Sequence, residues 1–228
     1  MNIPLPEVPV ILTTESRIDS FPEVNNALET PNGLLAVGGD LSSERLIYAY
    51  KHGIFPWYNE GQPILWWSPH PRYVIYPETL HISRNLHKVL NRRTFRVTWN
   101  QKFTEVVERC AAPRPSSSAT WITTEMQTAY ERLHLLGQAS SVECWHGGRL
   151  VGGLYGVDIG GIFFGESMFS IMANASKVAL VNVCMSGYKL VDCQLPNEHL
   201  LTMGATPITR RQFISEVTEG ISLKRLVK

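Results

Sequence analysis

Residues 140–165, SSVECWHGGRLVGGLYGVDIGGIFFG, form the stretch that decides the fold. Three runs rich in apolar residues, at 140–146, 150–157 and 162–165, are separated by the pairs Gly147-Gly148 and Gly160-Gly161. Glycine pairs supply the positive φ angles that two-residue hairpin turns require. The stretch therefore predicts three consecutive antiparallel strands.

The segments on either side carry the periodicities of further strands and helices. We expect strands over 73–76, 95–99 and 189–193, and helices that begin at Asn100, near Thr124, at Asn174 and at Thr209. The second of these helices is expected to turn Leu136 toward the core, and Thr209 with Gln212 matches a capping box. The resulting order, β-α-α-β-β-β-α-β-α, is that of the GNAT acyltransferase fold. This fold-level analogy does not decide the chemistry.

The first part of the chain has the pattern of a separate small domain. Ser42 can cap a helix that Gly53 can end. The proline-rich stretch 67–72 predicts an extended linker, because proline restricts its own backbone and that of the preceding residue. We therefore predict an α+β protein, with a small N-terminal α/β domain over 1–72 and a GNAT-like mixed-sheet domain over 73–228.

The net charge of +1, from 21 basic and 20 acidic residues, hides a polarised chain. Residues 1–50 carry seven acids and two bases, whereas 81–100 carry five bases and no acid. Residues 209–228 carry five bases and two acids. The total argues against a protein that coats nucleic acid by bulk charge. Two basic segments on one face would nevertheless suit a polyanion.

Several classes of protein are disfavoured by the spacing of residue types. The four cysteines include no CxxC pair and the seven histidines no HxxxH pair, so we predict no metal site. The longest apolar run, 178–185, is far shorter than the roughly 20 residues that span a bilayer. The first residues lack the pattern of a signal peptide. We expect a cytoplasmic protein with reduced thiols.

A short apolar strand ends in Val191-Asp192-Cys193-Gln194. Side chains two residues apart share one face of a strand, so Asp192 could take a proton from an attacking amine while Gln194 orients it. The alternative is that Asp192 caps the turn that follows. Cys193 points the other way and is expected to be a buried small hydrophobe.

Residues 165–170, GESMFS, occupy the place where GNAT enzymes cradle the pyrophosphate of coenzyme A. The segment has one glycine and places Glu166 where an anion would bind, which disfavours a nucleotide there. Within its apolar run Glu166 would bind a cation, such as a free α-ammonium group, or cap a following helix.

Tryptophans in proline-rich or loop segments suit stacking on nucleobases, although core packing is the alternative for any one of them. The tryptophans in question are Trp57, Trp66, Trp67 and Trp121.

Ten segments from about Phe21 to Phe213 occur in the order typical of one family. They are PNGLLAVGGDL at 31–41, GIFPW at 53–57, WWSP at 66–69, TWIT at 120–123, LVGGLYGV at 150–157, GESMFS at 165–170, NASK at 174–177, DCQ at 192–194, HL at 199–200 and GA at 204–205. In these segments the sequence resembles the bacterial leucyl/phenylalanyl-tRNA–protein transferases.

The resemblance implies an aminoacyltransferase. Such an enzyme would move Leu or Phe, and less well Met, from aminoacyl-tRNA to the N-terminal α-amine of proteins that begin with Arg or Lys. The new peptide bond would mark the acceptor for degradation. The implied partners are Leu-tRNA, Phe-tRNA and such acceptors. No cofactor and no membrane are implied, and a monomer is expected.

The resemblance also implies roles for individual residues. Asp192 and Gln194 match the catalytic pair, with Asp192 as base or as anchor of the acceptor's cationic end and Gln194 as relay. Positions that match the site for the 3′ adenosine and the aminoacyl group are Trp57, Trp121, Tyr130, Glu166 and Asn197. Positions that match a pocket for an unbranched hydrophobic side chain are Leu154, Phe163, Met168, Leu180, Val183 and Val191. Candidates for contacts to the tRNA backbone are Arg84, Lys88, Arg92 and Arg93.

One segment departs from the family pattern. Residues 185–188, after the predicted helix, are about one turn shorter than is usual, which leaves the amino-acid preference open. Two rival functions also remain: a CoA-dependent N-acetyltransferase, and a tRNA-binding module without catalysis.

Overall fold

The computed structural model describes residues 8–113 and 121–226, the side chains of 223–226 excepted. The described chain mixes helices with two sheets, in agreement with the predicted α+β class. In chain order the elements are β1 (Val10–Leu12), β2 (Leu34–Gly38), α1 (Ser43–Lys51), β3 (Phe55–Pro56), β4 (Leu65–Trp67), β5 (Arg72–Ile75), α2 (Arg84–Asn91), β6 (Arg96–Trp99), α3 (Phe103–Ala111), α4 (Thr124–Leu135), β7 (Ala139–His146), β8 (Arg149–Ile159), β9 (Ile162–Ser170), α5 (Ala175–Cys184), β10 (Leu190–Gln194), α6 (Glu198–Leu201), β11 (Thr206–Ile208) and α7 (Arg210–Leu226).

The larger sheet has seven strands in the order β11-β5-β10-β9-β8-β7-β6. Strands β7, β8 and β9 are antiparallel neighbours, which confirms the meander predicted from the glycine pairs. Strand β10 returns through α5 to pair in parallel with β9, from Leu190–Ile162 to Asp192–Phe164. The parallel pair brings the predicted catalytic strand beside the strand that carries Glu166.

Strand β9 is longer than the sequence predicts. Residues 165–170 continue the strand along β8 instead of forming a turn that opens a helix, so Glu166 caps no helix. The register shifts between Tyr155 and Gly156, opposite Glu166. A β-bulge of this kind re-aims a side chain without ending the strand, and sequence periodicity does not reveal it.

The smaller sheet has four strands in the order β1-β2-β4-β3 and is accompanied by α1. Ser42 caps α1 as predicted, since its side chain accepts a hydrogen bond from the Arg45 N–H. Tyr50 of α1 belongs to the same hydrophobic core cluster as Tyr130 of α4 and Tyr155 of β8. The two sheets therefore share a core, and the domain boundary after residue 72 stays a prediction.

Two predicted details of the helices are wrong. Asn100 does not cap α3, because its side-chain oxygen accepts from the Ser141 N–H at 2.8 Å. The buried Glu143 carboxylate instead accepts from the backbone N–H groups that precede α3. Leu136 does not turn toward the core; it is the C-cap residue of α4 and is 58% exposed.

Of the capping box predicted for α7, the hydrogen bond to Thr209 is confirmed and the one from the Gln212 side chain is not. Thr209 accepts from the Gln212 N–H at 3.1 Å, but the Gln212 side chain reaches Tyr76 rather than back to Thr209. Asn174 lies at the N-cap position of α5 with a φ of 71° and makes no side-chain cap hydrogen bond. Across the described ranges, no helix is both long and apolar enough to cross a membrane.

Candidate active site

A cavity of about 900 Å³ lies beside strands β9 and β10. It is lined by residues of both strands, by the turn after β10, and by side chains of α3, α5 and the segment around β3. All of the predicted catalytic, adenosine-site and side-chain-pocket residues line it except Tyr130 and Val183. The structure thus brings together residues that are spread from Trp57 to Asn197.

Two tryptophans form the aromatic part of the cavity wall. Trp57 is 39% exposed, and its carbonyl oxygen accepts from the Trp67 indole N–H at 2.7 Å. Trp121 is half-buried at the start of the described segment that follows the gap; its neighbour Thr120 lies outside the described residues. Trp66 is fully buried and donates to the Gly38 carbonyl, so for Trp66 the core alternative is confirmed.

The apolar part of the wall is made of aliphatic and aromatic side chains that water barely reaches. These are Leu154, Phe163, Leu180 and Val191, with the half-buried Met168. Val183 is buried in α5 and is not part of the lining. None of residues 185–188 lines the cavity, but the Tyr188 ring packs edge-on against Phe163 at 5.3 Å. The shortened segment therefore contacts the apolar wall only through residues that do not themselves face the cavity.

Asp192 forms a bidentate ion pair with Arg72, the first residue of β5. The Arg72 Nε and Nη2 atoms donate to the two carboxylate oxygens at 2.8 and 2.6 Å. Arg72 is 1% exposed and Asp192 0%. The guanidinium group also lies over the Phe55 and Phe213 rings, at 4.7 and 4.5 Å from their centroids. The pair thus ties together β5, β10, β3 and α7.

The same Asp192 carboxylate shapes the end of β10. Its Oδ1 accepts from the Gln194 N–H at 3.0 Å, so the alternative that Asp192 caps the following turn is confirmed. Gln194 has a φ of 56°, and the register with β5 shifts between Asp192 and Gln194. This bend directs the Gln194 amide toward Glu166, with 3.4 Å between Nε2 and Oε1. Cys193 is buried, as predicted.

Glu166 accepts hydrogen bonds from two buried phenols. The Tyr50 hydroxyl lies 2.7 Å from Oε1, and the Tyr130 hydroxyl lies 2.7 Å from Oε2. The two hydroxyls are 2.8 Å from each other. Tyr130, which does not itself line the cavity, therefore reaches the site through Glu166.

The surroundings of Glu166 make its carboxyl hold a proton more tightly than it would in water. Burial raises the pKa of the Glu166 carboxyl to about 7; the hydrogen bonds from Tyr130 and Tyr50 oppose this, and the Asp192 charge adds to it. Burial and the Glu166 charge also raise the pKa of both phenols well above the usual value, so they remain donors.

Polar and basic residues flank this centre. Asn197 lines the cavity, and its side chain caps α6 by accepting from the His199 N–H. The four tRNA-backbone candidates are exposed on α2 and just after it, outside the cavity lining. Helix α2 packs on α5, which carries Leu180 to the cavity, so the basic helix lies one layer away. Among the described residues, no cluster of His, Cys, Asp or Glu is arranged to hold a metal ion.

Sequence reasoning missed two residues that organise the site. The proline-rich pattern places Arg72 in a linker, and nothing in its surroundings marks it as the partner of Asp192. Tyr50 fits the apolar stripe of α1, which conceals the hydrogen bond that its hydroxyl donates to Glu166. A tyrosine or arginine on a buried face is a signal in itself, because its polar group needs a partner there.

The chain is similar to known proteins along most of its length. A family model described as leucyl/phenylalanyl-tRNA protein transferase matches residues 74–218, and a model for the N-terminal domain of the same family matches 39–70. The chain is 55% identical over 208 residues to a protein of that name from Pseudomonas paraeruginosa, and the alignment covers 89% of this chain and 92% of the relative. It is 56% identical over 208 residues to a namesake from Azotobacter vinelandii, with 90% and 92% covered.

Proposed function

The chain belongs to the leucyl/phenylalanyl-tRNA protein transferase family, and from that premise we propose that it transfers Leu or Phe, and less well Met, from aminoacyl-tRNA to proteins that begin with Arg or Lys. As a member it is an aminoacyltransferase that uses tRNA and protein as substrates. The observation that carries the finer proposal is the cavity, where an aromatic wall, an apolar wall and Glu166 meet.

The walls of the cavity suit the two ends of an aminoacyl-adenosine. Trp57 and Trp121 offer ring faces for the terminal base, for which stacking contributes about 1–3 kcal/mol per base. The apolar wall suits an unbranched hydrophobic side chain and disfavours the β-branched Ile and Val by shape. Discrimination between side chains that differ by a methylene group is worth only about 1–3 kcal/mol, which is why we expect some transfer of Met.

The proposed reaction forms a peptide bond and breaks an ester. The neutral α-amine of the acceptor attacks the ester carbonyl carbon, the tRNA 3′ oxygen leaves, and one proton must pass from the amine to that oxygen. Hydrogen-bond donors near the developing oxyanion lower the barrier. The Gln194 side-chain amide lines the cavity and can serve as such a donor.

For Asp192 the geometry supports a positioning role in place of the base or acceptor anchor expected from the resemblance. Both of its oxygens already accept from Arg72, and the side chain is fully buried. A carboxylate in this state is poorly placed to take a proton or to hold the cation of a second substrate. We propose that the Asp192–Arg72 pair fixes the bend that presents Gln194.

The proposal extends to the setting of the reaction. The protein would act as a monomer in the cytoplasm, through a GNAT-like C-terminal domain, and its product would be marked for degradation. Arg84, Lys88, Arg92 and Arg93 would hold the tRNA backbone, because their exposed charges can replace the counterions of phosphates.

Transfer of labelled Leu from Leu-tRNA to a peptide with N-terminal Arg tests the function. We expect transfer to this peptide, and none to the matched peptide with N-terminal Ala or to the Arg peptide with an acetylated α-amine. Equal transfer to the Ala peptide would contradict the acceptor rule. A thermal shift with acetyl-CoA, and none with Leu-tRNA, would support the rival N-acetyltransferase.

Binding measured across salt concentrations tests the basic helix. Each phosphate contact contributes to the slope of log K against log salt, so Lys88→Ala should reduce that slope by about 1. Arg17→Ala is the matched control, because the exposed Arg17 is already paired with Asp19 in the acidic first part of the chain. The same slope for Lys88→Ala and the wild type would exclude Lys88 from the tRNA interface.

A further inference from the structure

Glu166, Tyr50 and Tyr130 form a closed triangle of hydrogen-bonded oxygens. The three sides are 2.7 Å from Tyr50 to Oε1, 2.7 Å from Tyr130 to Oε2, and 2.8 Å between the hydroxyls. All three are normal lengths for an O–H···O hydrogen bond. Each side therefore has room for one proton and for no water molecule.

The number of protons decides which charge state of Glu166 fills this triangle. Each phenol carries one hydroxyl proton, and an ionised carboxylate carries none, so two protons would be shared among three contacts. One pair of oxygens would then face each other at hydrogen-bond distance without a proton between them. A protonated Glu166 supplies the third proton. The acid then donates to one phenol, that phenol to the other, and the second phenol back to the carbonyl oxygen.

We propose that Glu166 is a neutral carboxylic acid that completes the hydrogen-bonded ring with Tyr50 and Tyr130, and that it donates its proton to the tRNA 3′ oxygen that leaves in the transfer reaction. This role rests on the proposed function. As the C–N bond forms and the C–O bond breaks, the 3′ oxygen takes the proton of Glu166. The carboxylate then takes a proton from the new ammonium group, which restores the acid and leaves a neutral amide. Atoms and charge balance without a further reactant.

The surroundings of Glu166 fit this assignment. Its side chain lines the cavity, whereas the Asp192 carboxylate is engaged with Arg72. Burial raises the pKa of the Glu166 carboxyl to about 7, against about 4.5 in water. The titratable and charged groups that act on it from the elements packed around it are Tyr50 of α1, Tyr130 of α4, Tyr155 of β8, Asp192 of β10 and Arg72 of β5. The charge of Asp192 adds to the effect of burial on this pKa, whereas the hydrogen bonds from Tyr130 and Tyr50 and the charge of Arg72 oppose it.

The ring also gives the proton a route. When the acid donates from one carboxyl oxygen, the phenols can pass their protons around the ring and deliver one to the other oxygen. The proton can thus enter at one oxygen and leave from the other while the contacts persist. Gln194 approaches Oε1 at 3.4 Å and is placed to orient this face toward the substrate.

Infrared difference spectroscopy on the free protein tests the charge state. The spectrum of the wild type minus that of Glu166→Gln should contain the C=O stretch of a protonated carboxylic acid at pH 6, and the band should disappear as the pH rises through about 7. Absence of that band at pH 6 would overturn the proposal. This measurement needs no substrate, so it is decided independently of the proposed function.

Single-turnover transfer from Leu-tRNA tests the donor role. The new side-chain amide of the Glu166→Gln variant can fill the triangle, donating to one phenol and accepting from the other, but it cannot give up a proton. We expect the rate to fall at least about 100-fold, as for the loss of a general acid, with the Kd for Leu-tRNA within a factor of about 3. An unchanged rate would overturn the donor role. No transfer by the wild type would overturn the proposed function and the donor role with it, while the infrared band would still decide the charge state.

Removal of one hydroxyl tests the closed ring. Tyr50→Phe and Tyr130→Phe should each shift the infrared band, because each opens the ring and changes the partner of the acid. Tyr76→Phe is the matched control, since the Tyr76 hydroxyl bonds to Glu216 of α7 outside the cavity lining, and it should leave the band unchanged. A band that neither of the first two variants shifts would contradict the ring.

Discussion

Two carboxyl groups on adjacent strands, Asp192 on β10 and Glu166 on β9, are held in opposite ways. Asp192 is paired with the cation of Arg72, whereas Glu166 is surrounded by the uncharged phenols of Tyr50 and Tyr130. Gln194 touches both, through its N–H to Asp192 and its amide to Glu166. The two carboxyls share one cavity, so the chemistry of their partners, more than their location, distinguishes them.

This difference separates a structural charge from a transferable proton. Removing one partner of a buried ion pair leaves the other charge buried without compensation. The structure around Asp192 should therefore be rigid and sensitive to mutation. The Glu166 carboxyl is held by hydrogen bonds to neutral groups. Each of these hydrogen bonds can reverse its donor and acceptor without a large movement of atoms. A transferase that must move a proton during each turnover can use both a fixed charge that holds the site in shape and a group that gives up a proton.

The largest effect should come from breaking the ion pair. Arg72→Met leaves the buried Asp192 carboxylate without its cation and should lower the free energy of unfolding by about 3–5 kcal/mol. Urea denaturation monitored by tryptophan fluorescence measures this. The double variant Arg72→Met/Asp192→Leu is the control and should regain most of the loss. An Arg72→Met variant as stable as the wild type would show that the ion pair contributes nothing to the free energy of unfolding. Asp192 would then no longer differ from Glu166 as a structural charge.

The next effect should appear as a pH dependence at the other carboxyl. The pKa of Glu166 is about 7 in the folded protein and about 4.5 when unfolded, so the folded state holds this proton more tightly. The wild type should therefore lose stability as the pH rises from about 4.5 to about 7, by roughly 2–3 kcal/mol from this group. Glu166→Gln lacks the group, and its stability relative to the wild type should rise over the same interval and then stay level. Urea denaturation at pH 5, 6, 7 and 8 would reveal it; a difference that is constant with pH would show that Glu166 titrates normally.

The smallest effect on stability should come from the residue that joins the two carboxyls. Gln194→Ala removes the side-chain amide but keeps the N–H to Asp192, and should cost about 1 kcal/mol of stability. Its rate of transfer should fall about 10-fold or more, because an oxyanion donor is lost. Gln194→Gly is the matched control: it also lacks the amide, but glycine adopts a φ of 56° without strain, so it should be about 1 kcal/mol more stable than the alanine variant. Alanine and glycine variants that transfer as fast as the wild type would exclude the Gln194 amide from the chemistry.

Local patterns predicted much of the scaffold. The glycine pairs predicted the β7–β8–β9 meander, and Ser42 predicted the start of α1, because a turn and a helix cap depend on neighbouring residues. Asn100 failed as a cap because Ser141, 41 residues away, offers its N–H to the same side chain. The extension of β9 through Glu166 was missed because a bulge is set by the partner strand.

The family resemblance predicted that residues now found in the cavity belong to one site. It did not predict their charge or which way their side chains face. Val183 faces the interior of the fold instead of the cavity, since α5 is buried on most of its surface and helical position alone does not choose among buried faces. Arg72 looked like part of a linker because its partner lies on another strand. The GNAT-like architecture stays a prediction, and the proposed experiments test the roles of the site residues.

The sequence by itself determined the family, the α+β class, most of the strands and helices, and many of the residues that line the cavity. Only the tertiary structure decided which carboxyl is paired with a cation and which is held by phenols. The partners lie 120 residues apart for Arg72 and Asp192, and 116 and 36 residues apart for Glu166 and its two tyrosines. The charge of a buried acid depends on the groups within a few ångströms of it, and here folding brings those groups from distant parts of the chain.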